Sequence, residues 1–200
     1  YLTALNTLQR DAVLDSSRIV YVNAGPGTGK THLLVYKIID LLVKEKDQVK
    51  IVAMSYTRSS ASSLTQKIDE KAAVLNVVKF NSPYSGTIHS YSLNCLKAYS
   101  RSKGTNFDYI IADDSEIDDM ADDIFYSSNG IFDRDVIREC ICRPNMQGNS
   151  ELRNLVEEKK QIYKRISVGE ILDLYLKMIR EDEDFVAWTA KNMNYLLVDE

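Results

Sequence analysis

The sequence predicts an α/β protein built on a parallel sheet, with a helical subdomain inserted into it. Three observations carry that expectation. An apolar run, Ile19-Val20-Tyr21-Val22, leads through the glycine-rich stretch Ala24-Gly25-Pro26-Gly27-Thr28-Gly29-Lys30-Thr31 into a helix with Leu34, Ile38 and Leu41 at helical spacing. Lys50 to Ser55 and Tyr195 to Val198 are apolar runs of the kind buried on both faces, and strand, helix, strand implies parallel pairing with right-handed crossovers. From about Arg101 to about Asn194 the pattern turns helical, with polar breaks at Gly104, Asn129-Gly130 and Pro144 to Asn149. The expected division is therefore residues 1–100, an insertion over 101–194, and a strand returning at 195–200.

Composition permits this architecture and excludes others. The chain has 200 residues, 44% of them hydrophobic, enough for a sizeable core rather than a disordered segment. The net charge of −4 does not mark a nucleic-acid binder, but seven carboxylates between Asp113 and Asp123 dominate it, so the average says little about the first hundred residues. Cys95, Cys140 and Cys142 are an odd number, which fits a reducing interior better than a disulfide framework. Cys140-x-Cys142 lacks zinc spacing. With no membrane-length apolar run and no signal-peptide core, the expectation is a soluble intracellular protein with no membrane partner.

In chain order, Asn6 with Gln9 three residues later forms a capping box that starts a short helix. Gln9 is then a cap partner, or its amide offers a donor and an acceptor to an adenine edge; spacing alone favours the cap. Ala24 to Thr31 has the strand–loop–helix context of a phosphate-binding loop, although Ala24 stands where the usual pattern has glycine. Backbone N–H groups of Ala24, Gly25, Pro26's neighbours, Gly27, Thr28 and Gly29 would surround phosphate oxygens at a helix N-terminus. Lys30 would reach the β and γ phosphates of ATP, and Thr31 would hold Mg²⁺. The alternative is a glycine-rich turn with a chance lysine.

After the strand ending at Ser55, Tyr56-Thr57-Arg58 leads into a helix carrying Ala61, Leu64, Ile68 and Ala72. That position is the ligand-binding edge of a parallel sheet, where Tyr56 would stack on a base and Arg58 pair with a phosphate. A packed tyrosine on a solvated loop is the equal alternative. Ser85-Gly86-Thr87-Ile88-His89-Ser90 repeats the design, its hydroxyls suited to backbone phosphates, while a lone His89 is more often a capping or packing residue.

In the insertion, Ile117, Met120, Ala121 and Ile124 give an acidic helix one apolar face, its carboxylates expected on a solvated face rather than around a metal. Glu151 to Arg165 reads as a charged helix whose Lys159, Lys160, Lys164 and Arg165 complement its dipole or touch a phosphate backbone. Ser167 with Glu170 is a second capping box. Asp199 and Glu200 then close the last strand at the edge that the phosphate loop faces. Asp199 would bind Mg²⁺ through water and Glu200 would activate the attacking water.

Five ordered segments resemble motifs of the superfamily 1 helicases of the UvrD/Rep type, from about Leu5 to Glu200. Leu5-Asn6 with Gln9 and Ala12-Val13 is similar to the Q motif, which implies an adenine-reading role for Gln9. Ala24 to Thr31 is similar to motif I, where alanine in first place is common. Ser55 to Leu64 resembles motif Ia, Gly86 to Tyr91 the following T-F-H-S-F motif, and Leu197 to Glu200 the start of motif II. The resemblance implies a RecA-like sheet, incomplete here, and single-stranded DNA contacts at Tyr56, Thr57, Arg58, Thr87 and His89. Arg58, Ser59 and Ser60 depart from the family's usual Asn, Lys and Ala.

By the same analogy, a strand between the phosphate-loop and motif II strands, a second RecA-like domain and its arginine finger lie outside these residues. The resemblance therefore implies the N-terminal part of an ATP-dependent helicase acting on single strands and duplex junctions, with little activity by itself. Alternatives are the motor subunit of a helicase–nuclease complex, a P-loop NTPase without a nucleic-acid partner, and a non-catalytic DNA-binding module.

Overall fold

The computed structural model describes residues 1–25, 27–45, 49–77, 82–143 and 149–199. These form an α/β structure that divides into two compact units, Tyr1–Ser90 with Ala187–Glu200, and Tyr91–Val186.

In the first unit, helix α1 (Thr7–Leu14) starts at the expected capping box, Asn6 accepting from the Gln9 N–H and Gln9 accepting from Asn6 N–H. Helix α2 (Lys30–Glu45) follows the glycine-rich loop, strand β1 (Ile51–Ser55) follows α2, and helix α3 (Arg58–Val74) returns to strand β2 (Tyr84–Gly86). Helix α4 (Ile88–Ser102) leaves this unit, and strand β5 (Tyr195–Asp199) re-enters it. The sheet has the order β2-β1-β5, and all its pairs are parallel.

The sheet's core side is set by alternation. Ile51 and Ala53 of β1 pack with Val35, Ile38 and Ile39 of α2 and Leu64 of α3, and Tyr195 and Leu197 of β5 join the same cluster. Each fully buried aliphatic side chain there contributes roughly 1.5–3 kcal/mol relative to exposure. β1 is buried at every residue, as its continuous apolar run requires.

One expected strand is absent. Residues 19–22 run as non-regular chain, with Ile19 84% and Tyr21 87% exposed. An apolar run becomes a strand only where a neighbour satisfies its N–H and C=O groups, and the sheet ends at β5. Between this segment and β5 lies a groove of about 940 Å³, lined in part by Val20, Val22, Leu34, Leu197 and Val198.

In the second unit, strands β3 (Ile110–Ile111) and β4 (Arg165–Ile166) form a two-residue parallel pair that the sequence pattern did not predict. Helices α5 (Asp114–Ser127), α6 (Arg134–Cys142), α7 (Ser150–Tyr163) and α8 (Val168–Glu181) fill the rest, and α9 (Glu183–Asn192) leads back toward β5. Ile117, Met120, Ala121 and Ile124 of α5 pack on Ile137 and Ile141 of α6 and Leu152 and Val156 of α7. The acidic face of α5 is not merely solvated. Arg138 bonds to Asp114 and Asp118, Arg134 to Asp122, Lys159 to Asp123, and Arg165 to Glu116.

The same pairing gives most of the basic cluster carboxylate partners within the unit. Lys160 is buried against Glu170 at 2.7 Å, and Lys164 stands over the Tyr109 ring with φ +52°, ending α7. Three of the four cations are thus held by carboxylates, because burying α7 against α5 and α8 brings the two charge signs together. Cys95 and Cys140 are buried, and burial pushes both thiols up. Among the described residues no helix is long and apolar enough to cross a membrane.

Candidate functional site

The glycine-rich loop sits directly on the N-terminus of α2. Leu33 N–H donates to the Gly29 carbonyl at 2.9 Å, so the first helical bond already uses the last loop residue. Gly27 and Gly29 have φ of +73° and +89°. At the φ of Gly29 a side chain would be strained whatever the space around it, so the position favours glycine. Thr28 closes the turn through its hydroxyl, which donates to the Gly25 carbonyl at 2.7 Å.

Two side chains brace this loop. Lys30 Nζ donates to the Ala24 carbonyl at 3.2 Å, so the cation already points back over the loop. Gln9 Nε2 donates to the Thr28 carbonyl at 3.2 Å. Gln9 therefore caps α1 with its carbonyl oxygen while its amide nitrogen bonds the loop, so the cap residue is also in contact with the phosphate loop.

Asp199, the last residue of β5, reaches the same place from the sheet. Thr31 Oγ1 donates to Asp199 Oδ2 at 3.0 Å. The alternation that buries Tyr195 and Leu197 against α2 also turns Asp199 toward it. One hydroxyl and one carboxylate, both hard oxygen donors, suit a magnesium ion that keeps most of its waters. No cluster of three or more His, Cys, Asp or Glu able to hold a metal occurs among the described residues. Pro26 and Glu200, both expected in this site, lie outside the described residues.

The remaining expected residues assemble at the C-terminal ends of β1 and β2. Because these strands are adjacent and parallel, α3 and α4 begin side by side. Thr57 is the N-cap of α3, its hydroxyl accepting from Ser60 N–H at 3.0 Å, and Thr87, immediately before α4, accepts from Ser90 N–H at 3.3 Å. In each case the threonine and serine hydroxyls also meet, at 2.9 Å and 3.0 Å. The repeated Thr-x-x-Ser is a helix-cap pattern that sequence reasoning did not single out, though its spacing is visible. Tyr56 is 84% exposed and Arg58 is exposed, while His89, at the start of α4, is half-buried. The packed alternative for Tyr56 is thereby removed.

Phosphate loop, hydroxyl and carboxylate meeting at one sheet edge is a nucleotide-site arrangement, and comparison with known proteins gives it a family. The UvrD/REP helicase N-terminal domain matches residues 5–140. The chain belongs to the UvrD/REP helicase family.

Named relatives agree with that membership. The chain is 32% identical over 127 residues to the ATP-dependent DNA helicase SRS2 of Saccharomyces cerevisiae, covering 62% of this chain and 11% of that protein. It is 29% identical over 116 residues to DNA helicase II of Salmonella typhimurium, covering 58% of this chain and 16% of the relative. A third relative, one subunit of an ATP-dependent helicase/nuclease of Bacillus mycoides, is 26% identical over 157 residues, 68% of this chain and 12% of its own length. The chain thus spans less than a fifth of each of these relatives.

Proposed function

We propose that this UvrD/REP chain is the nucleotide-binding N-terminal part of an ATP-dependent DNA helicase or translocase. The observation that carries the reading is the 3.0 Å bond between Thr31, on the phosphate loop, and Asp199, on β5. It supports one ATP–magnesium site made from two distant stretches. Loop N–H groups and the α2 N-terminus would bind the phosphates, with Lys30 turning from the Ala24 carbonyl to the β and γ oxygens. Thr31 and Asp199 would hold the cation, which when bound neutralises charge on those oxygens. Glu200 would take a proton from the attacking water, and Gln9 would read adenine.

Single-stranded DNA would lie across the start of α3 and α4. There Tyr56 would stack on a base, while Thr57, Arg58, Thr87 and His89 would contact backbone phosphates. The RecA-like assignment is supported by the parallel order β2-β1-β5 and by the groove beside β5, where the resemblance expects a further strand. Tyr91–Val186 would be the inserted helical domain. Duplex junctions as substrates and an intracellular location with DNA follow from the same reading, as does little turnover by these 200 residues alone. The Bacillus mycoides relative, named as part of a helicase/nuclease, favours a second reading in which the motor belongs to a nuclease complex.

The test is ATP hydrolysis by the full-length protein, with and without single-stranded DNA. DNA-stimulated hydrolysis that Lys30→Ala abolishes, while strand binding stays within about twofold, is the expected result. Hydrolysis indifferent to DNA would point to a small-molecule NTPase.

A further inference from the structure

One polar side chain at this sheet edge has no role in the nucleotide site as built so far. Ser55 ends β1, is 4% exposed, and its hydroxyl has no hydrogen-bond partner among the described residues. Buried polar groups are almost always satisfied, so a hydroxyl in this condition points to a water or ligand that completes it.

Its direction follows from the strand alternation. Ile51 and Ala53 of β1, and Tyr195 and Leu197 of β5, pack into the same cluster with α2. Ser55 and Asp199 continue those two rows, and they are register partners on adjacent strands. Neighbouring strands lie about 4.8 Å apart, a separation of the order that one water bridges between two side chains on the same face. Asp199 in turn accepts the Thr31 hydroxyl.

We propose that Ser55 is a positioning residue of the magnesium–nucleotide site. Its hydroxyl binds a water that also binds the Asp199 carboxylate, fixing that carboxylate and the cation's water shell relative to Thr31. The proposal rests on the reading of Thr31 and Asp199 as the magnesium pair. Groups that orient a metal ligand in this way commonly change metal affinity by about 10- to 100-fold when removed.

The test compares Ser55→Thr with Ser55→Val in the full-length protein, two side chains of nearly equal shape of which only one carries a hydroxyl. The readout is equilibrium binding of a fluorescent ADP analogue during a Mg²⁺ titration, which requires no turnover. The threonine variant should keep the wild-type Mg²⁺ requirement within about twofold, and the valine variant should raise it about tenfold, with Mg²⁺-free nucleotide binding unchanged. Equal requirements in the two variants would overturn the proposal and leave Ser55 a packing residue. If the valine variant does not fold, Ser55→Ala takes its place with the same two outcomes. Asp199→Asn separates the site from its support: a Mg²⁺ requirement unmoved by that change overturns the site reading and Ser55's role with it. A response to Asp199→Asn with no response to Ser55→Val overturns the role of Ser55 alone.

Discussion

Thr31 and Asp199 stand 168 residues apart in the chain and meet through a 3.0 Å hydrogen bond. The bond makes the phosphate-loop helix and the last strand of the sheet into two halves of one candidate metal-binding edge.

Two groups that hold a single cation should fail together. Thr31→Ala and Asp199→Ala are each expected to weaken Mg²⁺-dependent nucleotide binding by about 10- to 100-fold in the full-length protein. The double variant should be no worse than the weaker single variant within about threefold, as for residues acting as a unit. Losses that multiply would mean that the two side chains serve separate functions.

Tyr56 offers a test of the strand site that leaves the fold alone. It is 84% exposed, so Tyr56→Ala should lower the melting temperature by no more than an ordinary surface change does. The same variant should weaken single-strand binding by about 1–3 kcal/mol, and Tyr56→Phe should retain most of the affinity because the stacking face survives. Strand affinity unaffected by the alanine change would remove Tyr56 from the interface.

The carboxylate of Asp123 accepts hydrogen bonds from Lys159 and then Tyr163, which hold it below the ordinary aspartate range. A carboxylate held low in the folded state adds stability above its unfolded value near 4 and loses it as pH falls through the folded value. The Asp123 side chain is 39% exposed, so solvent screening limits the contribution to about 0.5–1 kcal/mol. Chemical denaturation of wild type and Asp123→Asn should differ by that amount at pH 7 and converge as the pH falls through the folded-state value, which lies below the unfolded one. A difference that persists unchanged in acid would show that the ion pair is not its source.

Much of this architecture is local chemistry and could be read from the chain. The box of Asn6 and Gln9, that of Ser167 and Glu170, and the buried run of β1 each depend on residues within a few positions. β5 forms as expected but is not buried on both faces, since Leu196 and Val198 are 49% and 61% exposed, and an apolar run is covered twice only where elements pack on both sides of it. What escaped depends on partners far away in sequence. Ile19 to Val22 has strand composition, yet without a hydrogen-bonded neighbour it stays irregular. The carboxylates of α5 looked like a solvent face because nothing in their own spacing names Arg134, Arg138, Lys159 and Arg165 as their partners. In the site, Lys30, Thr31 and Asp199 announce themselves by motif, whereas Ser55 is conspicuous only once its strand register and burial are known.

The first unit is discontinuous in sequence, and this imposes an order on its assembly. As the chain emerges vectorially, Tyr91–Val186 can fold around Ile117, Ile137 and Ile141 before Tyr195 has been made. β1 spends that interval with one edge unpaired, and docking of β5 onto it closes a long loop, a slow step compared with local helix formation. The edge where Thr31 meets Asp199 is therefore a late product of folding, since a nascent chain can complete it only after the whole of Tyr91–Val186 has been made.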